Sequence, residues 1–532
     1  KLGGIGCVGA DARRGGDGLD APEHREQPRD RVDIAREERF DLTWTEPLGF
    51  DNPFAIVVQG EDARRQSPEV RAERDRRERH DGDTLTLATN FGLPVGAGGY
   101  LNLTAQFRDR DPTNRSGADP RRQYLTVGDP RELSIDRFTH RYGDGEAIDY
   151  NLFANAGYEL GGGFELYAFG SYGIRDASGG GFYRRANDVR NRDWSASTTS
   201  FVPIYADGYL PYIATEVEDV SGAVGIRGDV AGITGDLSVV YGSNQLDYKV
   251  TNSVNVSLGA ASSPRNFYAG GLRSGQTVVN LDLSRKFDFA GLQSFGIAFG
   301  GEYRNENYKI VAGDVASYIN GPFSAAPFNA AGGSQVFPGF RPNNATDVSR
   351  NSWAGYAEAD ADVTDFFSVQ LAGRYEHYSD FGDTWNGKIA ARLEPVQGIA
   401  IRGSASTGFR APSLAQQYFT ATSTVFTGGN LIETGTFAVS DPVSRALGAR
   451  DLEPEKSTNL GAGVVFSLVP GLTPARVSSQ SVPQRGGPPA GSALQQLASG
   501  SSSPSSAPSC SRSGRWASRH ASSTSRSCST AT

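Results

Sequence analysis

Segment after segment between residues 84 and 470 alternates apolar with polar side chains. Over residues 367–376 the odd-numbered positions hold Phe, Val, Leu, Gly and Tyr, and the even-numbered ones Ser, Gln, Ala, Arg and Glu. Successive side chains of a β-strand point to opposite faces, so each segment has one apolar and one water-compatible face. About a dozen segments of roughly 9–12 residues share this pattern, the length of a tilted strand that crosses a bilayer. The pattern predicts an all-β fold, a transmembrane up-and-down antiparallel β-barrel.

The connections between these segments alternate between short turns and long loops. The predicted hairpins are 84–92 with 99–108, 148–158 with 164–174, 217–228 with 234–245, 277–287 with 294–309, 352–363 with 366–378, and 384–394 with 399–409, followed by one strand at 457–468. The long connections are 109–147, 175–216, 246–276, 310–351 and 410–456. Only the connection 379–383 departs from this alternation, because it is short. The pattern predicts about thirteen strands and a fourteenth after residue 468, with periplasmic turns at one rim and extracellular loops at the other.

Charged residues occupy one face of most segments. A charge on the lipid face costs several kcal/mol near the midplane, so we expect the charged faces to line the lumen. Glu358, Asp360 and Asp362 form one such row, and alternate strand residues lie about 6.5–7 Å apart, a spacing that also permits glycosidic chemistry. We interpret the row as solvated lumen wall, because such rows are typical of polar strand faces.

Composition excludes several classes of function. The net charge of −8 argues against nucleic acid as a partner. The three cysteines, Cys7, Cys510 and Cys528, lie outside the patterned region, and the five histidines are scattered. We therefore predict no metal site. Since the sequence also has no G-x-S-x-G elbow, Walker motif or dinucleotide fingerprint, we predict no cofactor, no catalytic residues and a protein that is not an enzyme.

The two ends differ in character from the patterned region. Residues 1–83 are rich in Asp, Arg, Gly and Glu, and residues 471–532 are rich in Ser, Pro and Arg. Such compositions bury too little apolar surface to offset chain entropy. We predict three parts: a charged N-terminal segment, 1–83, that is disordered or out of frame and holds no recognisable plug; a barrel portion, 84–470; and a low-complexity tail, 471–532, that is disordered or frameshifted.

Three motifs in the barrel portion carry a family resemblance. Residues 374–382 read RYEHYSDFG, residues 402–414 read RGSASTGFRAPSL, and residues 452–457 read LEPEKS. Their sequence, order and spacing resemble those of TonB-dependent receptors over about residues 84–470. The family motif residues are Gly408, Phe409, Arg410, Ala411, Pro412 and Ser413.

The resemblance implies a 22-stranded, plugged barrel in the outer membrane of a Gram-negative bacterium. It implies uptake of a scarce nutrient such as an iron chelate, cobalamin or a sugar, powered through TonB and its inner-membrane energising complex. Outer-membrane lipid and a small nutrient ligand are then the remaining partners. The sequence departs from the family at both ends: neither a TonB box nor a plug is recognisable in 1–83, and the chain ends Ser-Thr-Ala-Thr without the terminal aromatic residue. We expect an incomplete copy.

Two long loops have the Arg and aromatic content that suits ligand capture. Such side chains grip anionic or aryl ligands by bidentate hydrogen bonds and stacking. The candidate ligand-binding residues are Tyr183, Arg184, Arg185, Arg190, Arg192 and Trp194 in the first loop, and Phe337, Phe340 and Arg341 in the second. The alternative is that they pack the loops on each other. Arg410 is expected to pair with lumen carboxylates or to hold a plug.

Two other functions remain open on the residues alone. A passive porin-like channel fits the barrel without the plug. A soluble β-rich enzyme that acts on glycans fits the strands without the membrane, and a monodisperse protein obtained without detergent would favour it.

Overall fold

The computed structural model describes residues 69–75, 81–289, 291–427, 430–466 and 475–484. The chain divides into two compact units, residues 1–48 and 49–532, and every described residue belongs to the second. The strands of this unit are β1 Glu69–Asp75, β2 Thr84–Val95, β3 Gly99–Arg110, β4 Glu146–Gly161, β5 Phe164–Gly180, β6 Tyr212–Val230, β7 Ile233–Thr251, β8 Phe267–Phe287, β9 Ser294–Val311, β10 Thr346–Thr364, β11 Phe367–Tyr378, β12 Gly382–Val396, β13 Ile399–Arg410, β14 Ala421–Thr427, β15 Asn430–Thr436, β16 Glu455–Phe466 and β17 Ala475–Gln484.

Helices are short and lie in the connections. The α-helices are α1 Val315–Tyr318, α2 Leu414–Tyr418 and α3 Pro442–Ala446, and the 3₁₀ turns are Pro130–Leu133, Val189–Asn191, Val256–Leu258 and Pro342–Asn344. In the described part of the chain, no helix is both long enough and apolar enough to span a membrane.

Fifteen strands form one antiparallel sheet in which each strand pairs with its neighbour in sequence. The order runs from β1 to β13 and continues with β16 and β17, while β14 and β15 form a separate hairpin in the β13–β16 connection. All thirteen predicted strands are present as β2 to β13 and β16, so the predicted up-and-down topology is confirmed. Within the described residues β1 and β17 are the two edges and do not pair with each other, so the sheet is an open segment of a barrel.

The sheet extends beyond the predicted barrel portion by one strand at each end. β1 lies within predicted segment 1–83 and pairs with β2, and β17 lies within predicted segment 471–532 and pairs with β16. A strand after residue 468 was expected for a complete barrel, and β17 occupies that place. The remaining residues of both end segments lie outside the described residues, so the three-part division stays a prediction.

Short turns and long loops sort to opposite rims, as predicted, with the short β11–β12 connection of residues 379–381 as the expected exception at the loop rim. The β6–β7 connection is the two residues Ala231 and Gly232, both with positive φ (52° and 77°), which is the type I′ geometry that matches strand twist. Glycine adopts such φ values without a Cβ penalty. In contrast, connections 111–145, 181–211, 252–266, 312–345 and 411–454 join the strands at the other rim. The rim of long loops is the extracellular side of an outer-membrane barrel.

The apolar faces of the strands point outward. On β10, Trp353 is 50% exposed, while its neighbours Ser352 and Ala354 are 5% and 7% exposed. The outward row of β10 stays apolar from Trp353 to Val363. At about 3.3 Å per residue and a tilt of about 40°, that row spans about 25 Å along the membrane normal, the height of the apolar band of outer-membrane barrels. Toward the rim of long loops, the exposed aromatic residues of the strands are Tyr150, Tyr172, Tyr241, Tyr303, Trp353 and Trp385.

The opposite face carries the charges. Asp282, Tyr356 and Arg374 lie in one cross-strand row. The Tyr356 hydroxyl donates a hydrogen bond to the Asp282 carboxylate, and Arg374 Nη2 donates to Glu302 Oε2 at 3.2 Å. Inward-facing acids and bases thus satisfy one another along the wall, as the predicted polar lumen requires.

Candidate ligand-binding loops

Three extracellular loops pack on one another through an aromatic cluster. Loop 181–211 contributes Trp194 and Tyr209, loop 252–266 contributes Val254 and Val256, and loop 312–345 contributes Ala330; all five are at most 8% exposed. Phe328 contacts the Trp194 ring edge-on at a centroid distance of 5.5 Å. Burial of these rings from water holds the loops together although they are far apart in sequence.

Two arginines predicted to bind ligand form contacts within this loop assembly. Arg184 is 5% exposed and donates from Nη1 to the Phe182 carbonyl at 2.7 Å and from Nε to Gln335 Oε1 at 3.4 Å. Burial, together with the nearby positive charge of Arg190, lowers the pKa of Arg184. Arg190 donates to both Asp188 oxygens at 2.9 and 2.8 Å. Arg184 therefore connects loop 181–211 to loop 312–345, whereas Arg190, which is half-buried, is held within its own loop.

Two further arginines of the first set keep part of their surface open. Arg185 donates from Nη1 to the Arg122 carbonyl at 2.8 Å and is half-buried. Arg192 lies 3.4 Å above the centroid of the Trp194 ring, a cation–π contact, and is also half-buried. The Tyr183 hydroxyl donates to the Asp207 carbonyl, and burial and the Asp207 charge raise the pKa of Tyr183 to about 12.

The second predicted set lies on a neighbouring cluster rather than on the first. Phe340 is 4% exposed and packs with Tyr308, Ile310 and Leu414. Phe337 packs against Tyr248 with ring centroids 4.8 Å apart. Arg341 caps the turn Pro342–Asn344, and its N–H donates to Asn344 Oδ1 at 3.2 Å. Both predicted sets therefore lie at the loop rim, and their contact with a ligand stays a prediction.

A repeated hydrogen-bonded pair of Asp and Arg, which we call the Asp-x-Arg clip, stiffens two of the loops. The sequence-based prediction did not include it. In Asp119–Arg121, Asp129–Arg131 and Asp188–Arg190, the aspartate accepts hydrogen bonds from the arginine backbone N–H and guanidinium two residues later. The signal in the sequence is the triplet Asp-x-Arg. The hydrogen bonds from Arg121 lower the pKa of Asp119 well below its usual range. In Asp188, burial alone raises the pKa of the carboxyl, but the hydrogen bonds from Arg190 outweigh it and lower the pKa.

The family motif lies at the end of β13 and the start of α2. Gly408, Phe409 and Arg410 end the strand, and Ala411, Pro412 and Ser413 lead into the helix. Ser413 caps α2, because its Oγ accepts from the Gln416 N–H at 3.1 Å and its own N–H donates to Gln416 Oε1 at 2.8 Å. Arg410 is exposed and lies opposite Glu455 in the register. Its predicted role in pairing with lumen carboxylates or holding a plug stays a prediction.

A buried arginine joins two of the sequence motifs, although no sequence pattern singles it out. Arg350 on β10 is 3% exposed and lies opposite Glu306, to which its Nε and Nη2 donate at 2.9 and 2.6 Å. Its Nη1 donates to Asp380 Oδ2 at 3.2 Å and to the Pro412 carbonyl at 2.7 Å. The β11–β12 turn and the loop after β13 are thus fixed to the barrel wall by one guanidinium.

The acidic row of β10 is part of the polar wall. Gln370 donates a hydrogen bond to Glu358, and Ser294 donates to Asp362 at 2.7 Å. Within the described residues, no group of three or more His, Cys, Asp or Glu side chains is placed to hold a metal ion. Glu358 and Asp362 thus accept hydrogen bonds from neutral side chains of neighbouring strands, which is a structural role.

Part of the chain is similar to a known family of barrels. The model of the family described as "TonB dependent receptor-like, beta-barrel" matches residues 225–478. The iron-regulated outer membrane virulence protein of Vibrio cholerae serotype O1 is 28% identical over 129 residues, which cover 24% of this chain and 17% of that protein.

The solved structures to which the chain is similar include two receptors. A mutant of the ferric enterobactin receptor PfeA of Pseudomonas aeruginosa has a TM-score of 0.49 and 11% identity, over 78% of this chain and 53% of that one. The siderophore receptor PirA of Acinetobacter baumannii has a TM-score of 0.44 and 13% identity, over 74% of this chain and 49% of that one. The chain therefore spans about half the length of these receptors.

Proposed function

We propose that this chain, whose residues 225–478 match the model of the TonB-dependent receptor β-barrel, is an outer-membrane receptor of that family for the import of a scarce nutrient. The observation that carries the proposal is the family match over residues 225–478. The family consists of receptors and transporters rather than enzymes, and its members are located in the outer membrane of Gram-negative bacteria.

An iron chelate is the proposed ligand. The relative from Vibrio cholerae is named as an iron-regulated outer membrane protein, and a receptor regulated by iron fits the uptake of iron. A passive porin-like channel has no support in the matched family. The family is powered through TonB, so TonB and its inner-membrane complex are the proposed source of energy for this chain.

The loop assembly provides the proposed contact surface. Ferric chelates with catecholate or carboxylate groups are anionic, and arginines beside aromatic rings attract such ligands. We assign first contact to Arg185 and Arg192, which are half-buried, and to Phe182, which is 63% exposed. The buried side chains of Trp194 and Arg184 hold two of these residues in position, since Trp194 contacts Arg192 and Arg184 donates to the Phe182 carbonyl.

The test uses the full chain folded in detergent micelles. Titration with a ferric catecholate should quench the fluorescence of Trp194. The iron-free chelator should bind more weakly and therefore reach the same quenching only at higher concentration. Replacing both loop cations (Arg185→Ala with Arg192→Ala) should weaken binding at least about tenfold, since each contributes a charge-assisted hydrogen bond of about 1.5–3 kcal/mol. The control is Arg227→Ala, whose Arg227–Glu165 ion pair lies at the opposite end of β6, by the short turn.

Two results would change the proposal. Binding of cobalamin or a sugar in place of the ferric chelate would keep the receptor and replace the ligand. A chain that folds but binds none of these nutrients, and that lets small solutes leak from vesicles, would favour the passive channel instead.

A further inference from the structure

The pairing between β12 and β13 stops short of the rim of long loops. β12 pairs with β11 up to its first residue, but its pairing with β13 ends at Lys388, which lies opposite Ser406. β13 continues to Arg410 and stays paired with β16 on its other side. Within the described residues, the upper end of β12 (382–387) and the end of β13 (407–410) therefore share no ladder. We call the space between them the β12–β13 gap.

A side-chain hydrogen bond replaces the ladder at the lower end of the gap. The Gly387 N–H donates to Thr407 Oγ1 at 3.0 Å, where a continued ladder would offer the Thr407 carbonyl. A recess of about 600 Å³ opens beside these two residues on the outward face, and Ile389 and Ala405 also line it. Because the Gly387 N–H points towards β13, the backbone groups of Trp385, two residues away, face the gap as well. This edge of β12 is thus a template for another strand.

Contacts inside the lumen hold the end of β13 away from β12. Arg350 on β10 donates to the Pro412 carbonyl at 2.7 Å, although β11 and β12 lie between β10 and β13 in the sheet. Phe409 belongs by alternation to the outward row of β13. Its ring nevertheless contacts Tyr378, which is 3% exposed on the lumen side, at a centroid distance of 6.0 Å. The end of β13 is therefore fixed to the lumen side of the wall.

The register identifies the segment that fits the free edge. When the observed register of β12 and β13 is extended towards the rim, Trp385 lies opposite Phe409. Trp385 is 76% exposed and would gain an aromatic cross-strand neighbour. The same register places Thr384 opposite Arg410. The buried Thr384 hydroxyl has no hydrogen-bonded partner among the described residues, and the Arg410 guanidinium would bring it a donor.

We propose that the β12–β13 gap is a strand-docking switch, in which the free edge of β12 takes up residues 407–410 when Arg350 releases the Pro412 carbonyl. Docking replaces the side-chain hydrogen bond at the lower end of the gap with ladder hydrogen bonds. It also moves the start of loop 411–454 away from the lumen. The pairing of β13 with β16 is kept, because those hydrogen bonds lie on the opposite edge of β13. The switch belongs to the barrel wall and does not depend on nutrient import.

Disulfide formation between the two strand ends tests the switch in the full chain folded in vesicles, after its native cysteines are replaced by Ser. The test pair is Thr384→Cys with Arg410→Cys, two positions that lie opposite each other only in the docked register. The control pair is Lys388→Cys with Ser406→Cys, which lie opposite each other in the register already present. Both pairs occupy non-hydrogen-bonded positions, where the close approach of side chains suits a disulfide.

With Arg350 intact, copper phenanthroline should oxidise the control pair and leave the test pair largely reduced. Arg350→Met should raise the oxidation rate of the test pair at least about tenfold, the effect of one lost charge-assisted hydrogen bond on a two-state balance. Arg350→Lys should also raise it, because Lys keeps the cation beside Glu306 and Asp380 but lacks the fork that reaches Pro412 as well. This milder variant leaves no acid without a cation.

Two controls separate docking from a general loss of structure. Arg227→Met, whose ion pair lies at the opposite end of β6, should leave both pairs unchanged. An off-register pair, Thr384→Cys with Ser406→Cys, should stay reduced in every variant. The proposal is overturned if the control pair oxidises while the test pair responds to neither Arg350 variant. It is also overturned if the test pair oxidises as fast as the control pair with Arg350 intact, or if the off-register pair oxidises as fast as the test pair.

Discussion

Arg350 offers the sharpest test of how the extracellular rim is held together. Its guanidinium is 3% exposed and contacts Glu306, Asp380 and the Pro412 carbonyl. Arg350→Met keeps much of the side-chain volume and removes all of these contacts. Two carboxylates, 24% and 19% exposed, then lose their cation in a poorly solvated site.

The magnitude follows from the burial of the partners. Removing one partner of a buried ion pair costs about 3–5 kcal/mol, and because both carboxylates keep some solvent contact we expect about 2–4 kcal/mol here. The matched control is Arg227→Met, whose ion pair with Glu165 is 41% and 28% exposed and should cost at most about 1 kcal/mol.

Urea unfolding of the vesicle-folded chain, followed by tryptophan fluorescence, measures the free energy of unfolding. Hydrogen exchange over residues 411–420 measures the local effect, and it should rise in Arg350→Met because the Pro412 carbonyl loses its donor. Neutralising both acids in the same chain (Glu306→Gln, Asp380→Asn) should recover most of the loss, since no unpaired charge remains. If Arg350→Met costs no more than Arg227→Met, the reasoning is refuted.

Three further predictions concern the membrane face and the loops. Leu371→Arg places a charge on the lipid face and should cost about 2–4 kcal/mol in vesicle unfolding, whereas Gln370→Arg on the lumen face should cost less than about 1 kcal/mol; equal costs would contradict the assigned faces. Trp194→Ala removes the largest side chain of the loop cluster and should lower the local free energy of unfolding by up to about 3–5 kcal/mol. Hydrogen exchange should therefore rise in loops 181–211, 252–266 and 312–345 but not in the strands. The pKa of Asp119 and of Asp188 is lowered in the folded loops. Each Asp–Arg pair therefore stabilises its loop fully above the unfolded pKa of about 3.9, and this stabilisation is lost as the pH falls further. Exchange in loops 111–145 and 181–211 should therefore be constant from pH 7 to 5 and rise below pH 4, after correction for the intrinsic rate; a rise near pH 6 would point to other groups.

The sequence predicted the strands well because a period of two is local information. The apolar row from Trp353 to Val363 can be seen in the residue order alone, and β10 contains it. β1 was missed because it lies within a stretch of charged composition, where the alternation is too weak to stand out. β17 was expected as a strand after residue 468, but its Ser-rich stretch could not place its bounds. The hairpin of β14 and β15 was missed because it lies within a connection that was read as a loop.

The candidate site was less predictable because its contacts are long-range. Arg350 meets Asp380 and Pro412 only after the strands are in register, and no spacing in the sequence reports that meeting. Composition selected Arg184 and Trp194 correctly as loop residues, yet it could not separate those that are buried from those that stay half-open, such as Arg185. Burial depends on which loop packs on which, and that is set by the barrel beneath them.

The most direct test of the barrel compares lipid and water contact at adjacent residues. Nitroxide labels are placed one at a time at positions 370, 371, 388 and 389 in a chain whose Cys7, Cys510 and Cys528 are replaced by Ser, and accessibility to oxygen and to a water-soluble nickel chelate is measured in vesicles. The labels replacing Leu371 and Ile389, which lie opposite each other on β11 and β12, should favour oxygen. Those replacing Gln370 and Lys388 should favour the nickel chelate. Access of the nickel chelate to all four positions, or the reverse pattern, would contradict a membrane-spanning barrel with a polar lumen.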